Sequence, residues 1–109
     1  MAEPTLLEVF GAGATQTATE LRISKADLTT VGLTASGTNT PESLLAAIIA
    51  LAQLRLTELA FDANIDQSIT ITNGTDALIS RNGKTYRQTN KTVEFYKVDN
   101  VGTFDPDDY

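Results

Sequence analysis

The chain has 109 residues, 41% hydrophobic and 20% charged, which fits one folded domain and excludes wholesale disorder. It contains neither histidine nor cysteine, so disulfides, thiolate metal sites, imidazole bases and Ser–His or Cys–His relays are all excluded. The net charge of −6 argues against nucleic acid and anionic membranes as partners, because both need a concentrated basic patch.

Residues 5–10 (TLLEVF) read as a short strand. Residues 11–15 (GAGAT) follow as a flexible connection. Gly11 and Gly13 do not make a phosphate loop, since the third glycine and a following Lys-Ser/Thr are missing. Residues 19–24 (TELRIS) alternate, with Leu21 and Ile23 on one side and Glu20, Arg22 and Ser24 on the other, as in a half-buried strand. The two strands are expected to form a loose hairpin. Residues 27–39 are rich in Thr, Gly, Ser and Asn and read as a loop, with room for a short strand over 31–35.

The clearest helix signal comes next. Pro41 suits the first helical position, and Glu42 favours the positive end of the helix dipole. Either Thr40 or Asn39 serves as the cap, the second with Glu42 as its partner three residues on. The helix is predicted over 41–61. Leu45, Ile48, Ile49, Ala52, Leu56 and Leu59 form its apolar stripe, widened by Leu44 and Leu51. Its first turns are apolar on nearly every side. A sheet is expected to cover one face, and either the N-terminal segment or a second subunit the other.

The C-terminal half predicts an antiparallel meander. Residues 68–72 (SITIT), 76–81 and 84–88 are strand-like, and the pairs Asn73-Gly74 and Asn82-Gly83 separate them. Residues 92–98 (TVEFYKV) form either a fourth strand or a continuation of the third past a bend near Asn90. The predicted fold is therefore α+β, one long helix packed on an antiparallel sheet with a C-terminal β-meander. Residues 1–98 make a single domain, and 99–109 an acidic C-terminal tail.

That tail either is a solvated end or docks on a neighbour through Phe104 and Tyr109. It lacks the glycine and distal glutamate of a calcium loop. The basic group Arg81, Lys84, Arg87 and Lys91 falls on a hairpin, where charge discourages unwanted strand pairing. Two Asn-X-Thr triplets, at Asn73 and Asn90, read as turn chemistry. Threonine occurs 17 times, as exposed strand faces would require. No basic segment precedes an apolar run at the N-terminus, so no signal peptide is expected. The longest apolar run, 44–52, is far short of the ~20 residues a membrane span needs.

No catalytic, cofactor-binding or metal-ligating residue is assigned. No acidic side chain sits in an apolar context of the kind that tunes a catalytic carboxylate. The segments TLLEVFGAGATQTATELRISKADL, TPESLLAAIIALAQ, DQSITITNG and FDPDDY resemble small phage-associated proteins. In composition the chain is also similar to accessory virion proteins such as capsid cement or decoration proteins. The resemblance implies a non-enzymatic structural protein of a virion, located in the particle. Self-association, in a closed oligomer such as a trimer, is expected from open sheet edges and the extra apolar face of the helix start, 44–52, and a larger virion protein is the other expected partner. No cofactor, small-molecule substrate, nucleic acid or membrane is expected. The alternative is a soluble cytoplasmic binding module or inhibitor acting on one partner protein.

Overall fold

The computed structural model describes residues 3–99 and 102–109. Its fold is α+β with antiparallel strands, and its elements begin with a departure from the sequence reading. Residues Leu6–Phe10 form a helix, α1, not a strand. Thr5 N–H donates to Glu8 Oε1 (2.9 Å), and Glu8 N–H donates to Thr5 Oγ1 (3.2 Å). This reciprocal pair satisfies two backbone donors at the helix start and outweighs the strand propensity of a short apolar run.

The expected hairpin exists in a reduced form. β1 (Thr15–Gln16) pairs with β2 (Leu21–Arg22), so the partner of the second strand is 15–16 and not 5–10. The strand expected over 19–24 shrinks to two residues; on its apolar side Ile23 is half-buried and Leu21 remains exposed. The connection before it is not slack. Gly13 N–H donates to Asp27 Oδ2 (2.7 Å), and a Cβ on Gly11 would stand 2.5 Å from the Asp27 Cβ. The expected loop at 27–39 overlaps α2 (Lys25–Leu28) and a 3-10 turn (Thr29–Val31), and no strand forms at 31–35. Thr29 and Thr30 hydroxyls donate to the carbonyls of Ala26 and Asp27, three residues back, which favours helical turns over extended chain.

The main helix, α3, spans Pro41–Arg55 with Thr40 as its cap, accepting from Ser43 N–H (3.1 Å). Asn39 is engaged elsewhere: its side chain bonds Ser36 N–H and the Thr34 carbonyl. The single long helix expected over 41–61 is two helices. Leu56 leaves the helical conformation, and Thr57 caps α4 (Glu58–Ala63) by accepting from Ala60 N–H. A threonine cap competes with helix continuation. The break also lets the Leu56 carbonyl accept from Ile71 N–H (2.9 Å), tying the helix end to the sheet.

The meander is corrected most. β3 (Ile69–Asn73) pairs with β6 (Lys91–Phe95), from Ile69↔Phe95 to Asn73↔Lys91. β4 (Ala77–Arg81) pairs with β5 (Lys84–Gln88), from Ala77↔Gln88 to Arg81↔Lys84. These are two sections of one long hairpin, not three strands side by side. Of the two expected turns, only Asn82-Gly83 is one, with φ of 52° and 71° as a type I′ turn requires. At Asn73-Gly74 the chain does not reverse direction, and Gly74 N–H donates to the Asn90 carbonyl (2.7 Å). A Cβ on Gly74 would lie 2.9 Å from the Asn90 Cβ, so glycine serves close approach there rather than turning. β6 follows β5 past the bend at 89–90, the second of the two readings of that segment. Residues 74–76 on one side face only 89–90 on the other, one residue in excess, as in a β-bulge.

The core lies where α1, α3 and β3 meet. Ala52, Leu56 and Ile71 are buried there, with Val9, Ile49 and Ile69 packed around them. Leu45 and Leu59, expected in the helix stripe, are exposed. Arg55 clamps the junction, its Nε donating to Glu8 Oε2 (2.9 Å) and its Nη1 to Gln67 Oε1 (3.3 Å). Gln67, itself buried, donates to the carbonyls of Thr57 and Ile69. The molecule measures 47 × 32 × 27 Å with a radius of gyration of 16.2 Å. A compact domain of this length would have a radius of about 13 Å, so mass lies well outside the core.

Candidate interaction surface

The outlying mass is the β4–β5 hairpin. Every residue of both strands is exposed, and the two strands contact chiefly each other. Neither strand has a ladder partner on its outer edge among the described residues. The hairpin therefore projects as an arm from the end of the β3–β6 ladder.

Its root is fixed. Lys91 Nζ donates to Gln53 Oε1 (2.6 Å) and Asn73 Oδ1 (2.9 Å), and Gln53 Nε2 donates to the same Asn73 oxygen (3.1 Å). Asn90 Nδ2 donates to the Thr75 carbonyl. The register gives the arm two distinct faces, since residues directly opposite share a side. One face carries Ile79 and Tyr86 as a cross-strand pair, then Arg81 and Lys84 toward the tip. The other carries Leu78, Ser80, Thr85 and Arg87. Ile79 and Tyr86 stay 40% and 44% exposed, far too open for a core pair. The Arg81 guanidinium lies 6.0 Å from the centre of the Tyr86 ring.

The basic group seen in the sequence thus divides. Lys91 is committed to the root, and Arg87 reaches Asp76 at a loose 3.9 Å. Arg81 and Lys84 make no ion pair among the described residues. Residues 77–88 hold three of the chain's eight basic residues and none of its fourteen acidic ones, so a basic arm is mounted on an acidic body.

The C-terminal segment forms a second exposed feature. The tail expected at 99–109 includes residues 100 and 101, which lie outside the described residues; the rest folds back on its own chain. Phe95 takes Phe104 edge-on (ring centres 5.0 Å apart) and Tyr109 at a tilt (5.3 Å), and Phe104 and Tyr109 stack at 5.6 Å. Lys97 pairs with Asp108 at 3.1 Å, and Asp105 caps the final 3-10 turn, Pro106–Asp108, by accepting from Asp107 N–H. Phe95 and Phe104 remain 46% and 61% exposed.

Among the described residues no three acidic side chains converge to hold a metal ion, and no helix is long and apolar enough to cross a membrane. Glu8 is held below the usual carboxylate range, chiefly by the Thr5 backbone N–H and then by Arg55. That is the opposite of the raised pKa a general acid needs. A groove of about 290 Å³ along α3, lined by Val31, Leu33, Ala46, Ala47 and Ala50 among others, offers methyl groups and little polar chemistry.

The sequence located the hairpin and its charges but not its detachment. The available signal was the composition of 77–88 (ALISRNGKTYRQ), which has polar groups on both faces, unlike the apolar-alternating SITIT segment before it. Compared with protein-family models, curated proteins and solved structures, the chain matches none of them.

Proposed function

We propose that this chain is a non-enzymatic structural subunit of a phage virion or similar assembly, a decoration or other accessory protein that binds neighbouring protein through its arm. The observation that carries this reading is the fully exposed β4–β5 hairpin. A lone two-stranded hairpin is marginal in water, and two open strand edges with exposed Leu78, Ile79 and Tyr86 invite a protein surface. The kind of assembly is taken from the phage-type resemblance read in the sequence, which no compared protein supports. The absence of histidine and cysteine supports a role without chemistry.

Quantitative mass spectrometry of purified particles tests it. The chain should be present at a fixed ratio to the major structural protein. A variant with 77–88 replaced by a short Gly-Ser turn should fold yet fail to incorporate. A protein found only as a free pool, outside any particle, would instead fit a soluble module acting on one partner and would overturn the structural role.

A further inference from the structure

The arm and the C-terminal segment lie at opposite ends of the same ribbon. The β3–β6 ladder has Asn73↔Lys91 at the arm root and Ile69↔Phe95 at its far end, with three register pairs between them. Phe95 is the residue on which Phe104 and Tyr109 rest. Each end presents an incomplete surface. The arm offers an apolar pair, Ile79 and Tyr86, followed by Arg81 and Lys84, which make no ion pair among the described residues. The far end offers exposed aromatic rings, Phe95 and Phe104, followed by Asp105 and Asp107, which meet no cation among the described residues. Apolar matches aromatic, and two positive charges match two negative ones.

We infer that the occupant of the arm is a second copy of this chain: the Ile79–Tyr86 face of one molecule docks on the Phe95–Phe104 surface of the next, with Arg81 and Lys84 against Asp105 and Asp107. The contact is between molecules because the arm leads away from the ladder end opposite Phe95 and the two strands touch chiefly each other. Because the two surfaces differ, the contact is either exchanged reciprocally within a two-fold dimer or passed head-to-tail along successive copies. In the head-to-tail case an open chain of copies keeps one free arm and one free acceptor at its ends, and a closed ring keeps neither. The charges supply direction and encounter rate, and the rings supply buried area. This inference rests on the structural role proposed above and adds its partner.

The test uses the full chain in sedimentation velocity. At roughly 100 µM and low salt the wild type should run heavier than one chain, and the excess should shrink as salt shortens the screening length to about 3 Å near 1 M. The pair R81E/K84E should weaken association by about tenfold or more, because like charges then face each other. D107K, which spares the Asp105 cap, should weaken it in the same direction. Far-UV circular dichroism checks that both variants fold.

Mixing the two variants is the decisive arm. An acidic arm then meets a less acidic tail, and the unaltered basic arm meets the unaltered tail, so the mixture should recover mass that neither variant shows alone. A monomeric wild type, unchanged association in the variants, or a mixture no heavier than its components would overturn the contact. Recovery in particles together with a monomer in this assay keeps the structural role and removes the arm-to-tail contact. Arm-to-tail association of a chain absent from particles does the reverse.

Discussion

β3–β6 and β4–β5 are two halves of one ribbon, each five residues long on both strands, antiparallel and continuous through the bend at 74–76 and 89–90. Their surroundings differ on one strand, since β6, like both strands of the arm, is exposed at every residue. β3 carries the buried pair Thr70 and Ile71, and contacts α3 and α4; the arm has no buried residue at all. The same hydrogen-bonded geometry is therefore buried along β3 in one half and exposed on both strands of the other. Backbone pairing sets the shape of both halves, while burial against helices decides where the stability lies.

The comparison can be broken most severely at Leu56, which packs with Ala52 and Ile71. Leu56→Ala should cost roughly 2–5 kcal/mol in a urea titration, as other large-to-small core changes do. A change near zero would show that the body is not the stable half.

The bend itself comes next. In Gly74→Ala the new methyl would crowd the Asn90 Cβ at 2.9 Å. The cost should be about 1–3 kcal/mol, typical of overpacking. Amide exchange should accelerate at the arm root as well as in β3. Acceleration confined to the tip would mean that the root is not tied to the body.

Acid sharpens the same contrast, because the Glu8–Arg55 pair belongs to the body alone. Glu8 is shifted below its ordinary value of 4.5, so it stabilises the fold above that pH, and the contribution disappears as pH falls through its folded pKa. Glu8→Gln should melt lower than wild type at neutral pH. The gap should begin to narrow as pH falls below about 4.5 and close once the folded carboxylate, whose pKa lies lower, has taken up its proton. A gap of constant size across that range would remove the ion pair from the account.

The smallest effect belongs to the arm. Leu78 is 66% exposed, so Leu78→Ala should move the urea midpoint by less than about 0.5 kcal/mol equivalent. A loss comparable to that of Leu56→Ala would place the arm inside the cooperative unit.

What the sequence disclosed follows the range of the forces involved. The start of α3 was legible because Thr40, Pro41 and Glu42 act within one turn. Asn82-Gly83 was legible because positive φ at both positions is a local demand. The Thr5–Glu8 capping box was equally local, yet a short apolar run favours strand when only propensity is weighed. Asn73-Gly74 is the instructive case, the same dipeptide as the real turn with a different outcome. Its conformation is set by Asn90, sixteen residues away from Gly74, and nothing within the dipeptide announces that partner. The break at Leu56–Thr57 was half visible, since Thr57 is a competent cap, but the bond from Ile71 N–H to the Leu56 carbonyl is tertiary. The candidate surface divided in the same way: its charges stand in the sequence, whereas the separation of Lys91 from Arg81 and Lys84 needed the fold.

The odd residue at the bend has a consequence for how such an arm is aimed. Along β3 and β6, odd-numbered residues oppose odd-numbered residues; along β4 and β5, odd oppose even. One strand has thus changed parity relative to the other, and the side on which Ile79, Tyr86 and their neighbouring cations appear is set by a count of residues rather than by any side chain. Removing one residue from 74–76 would leave every group of the arm chemically intact while altering the direction in which it points. Insertions and deletions at this spot act as a steering adjustment, able to redirect a binding face in a single genetic step.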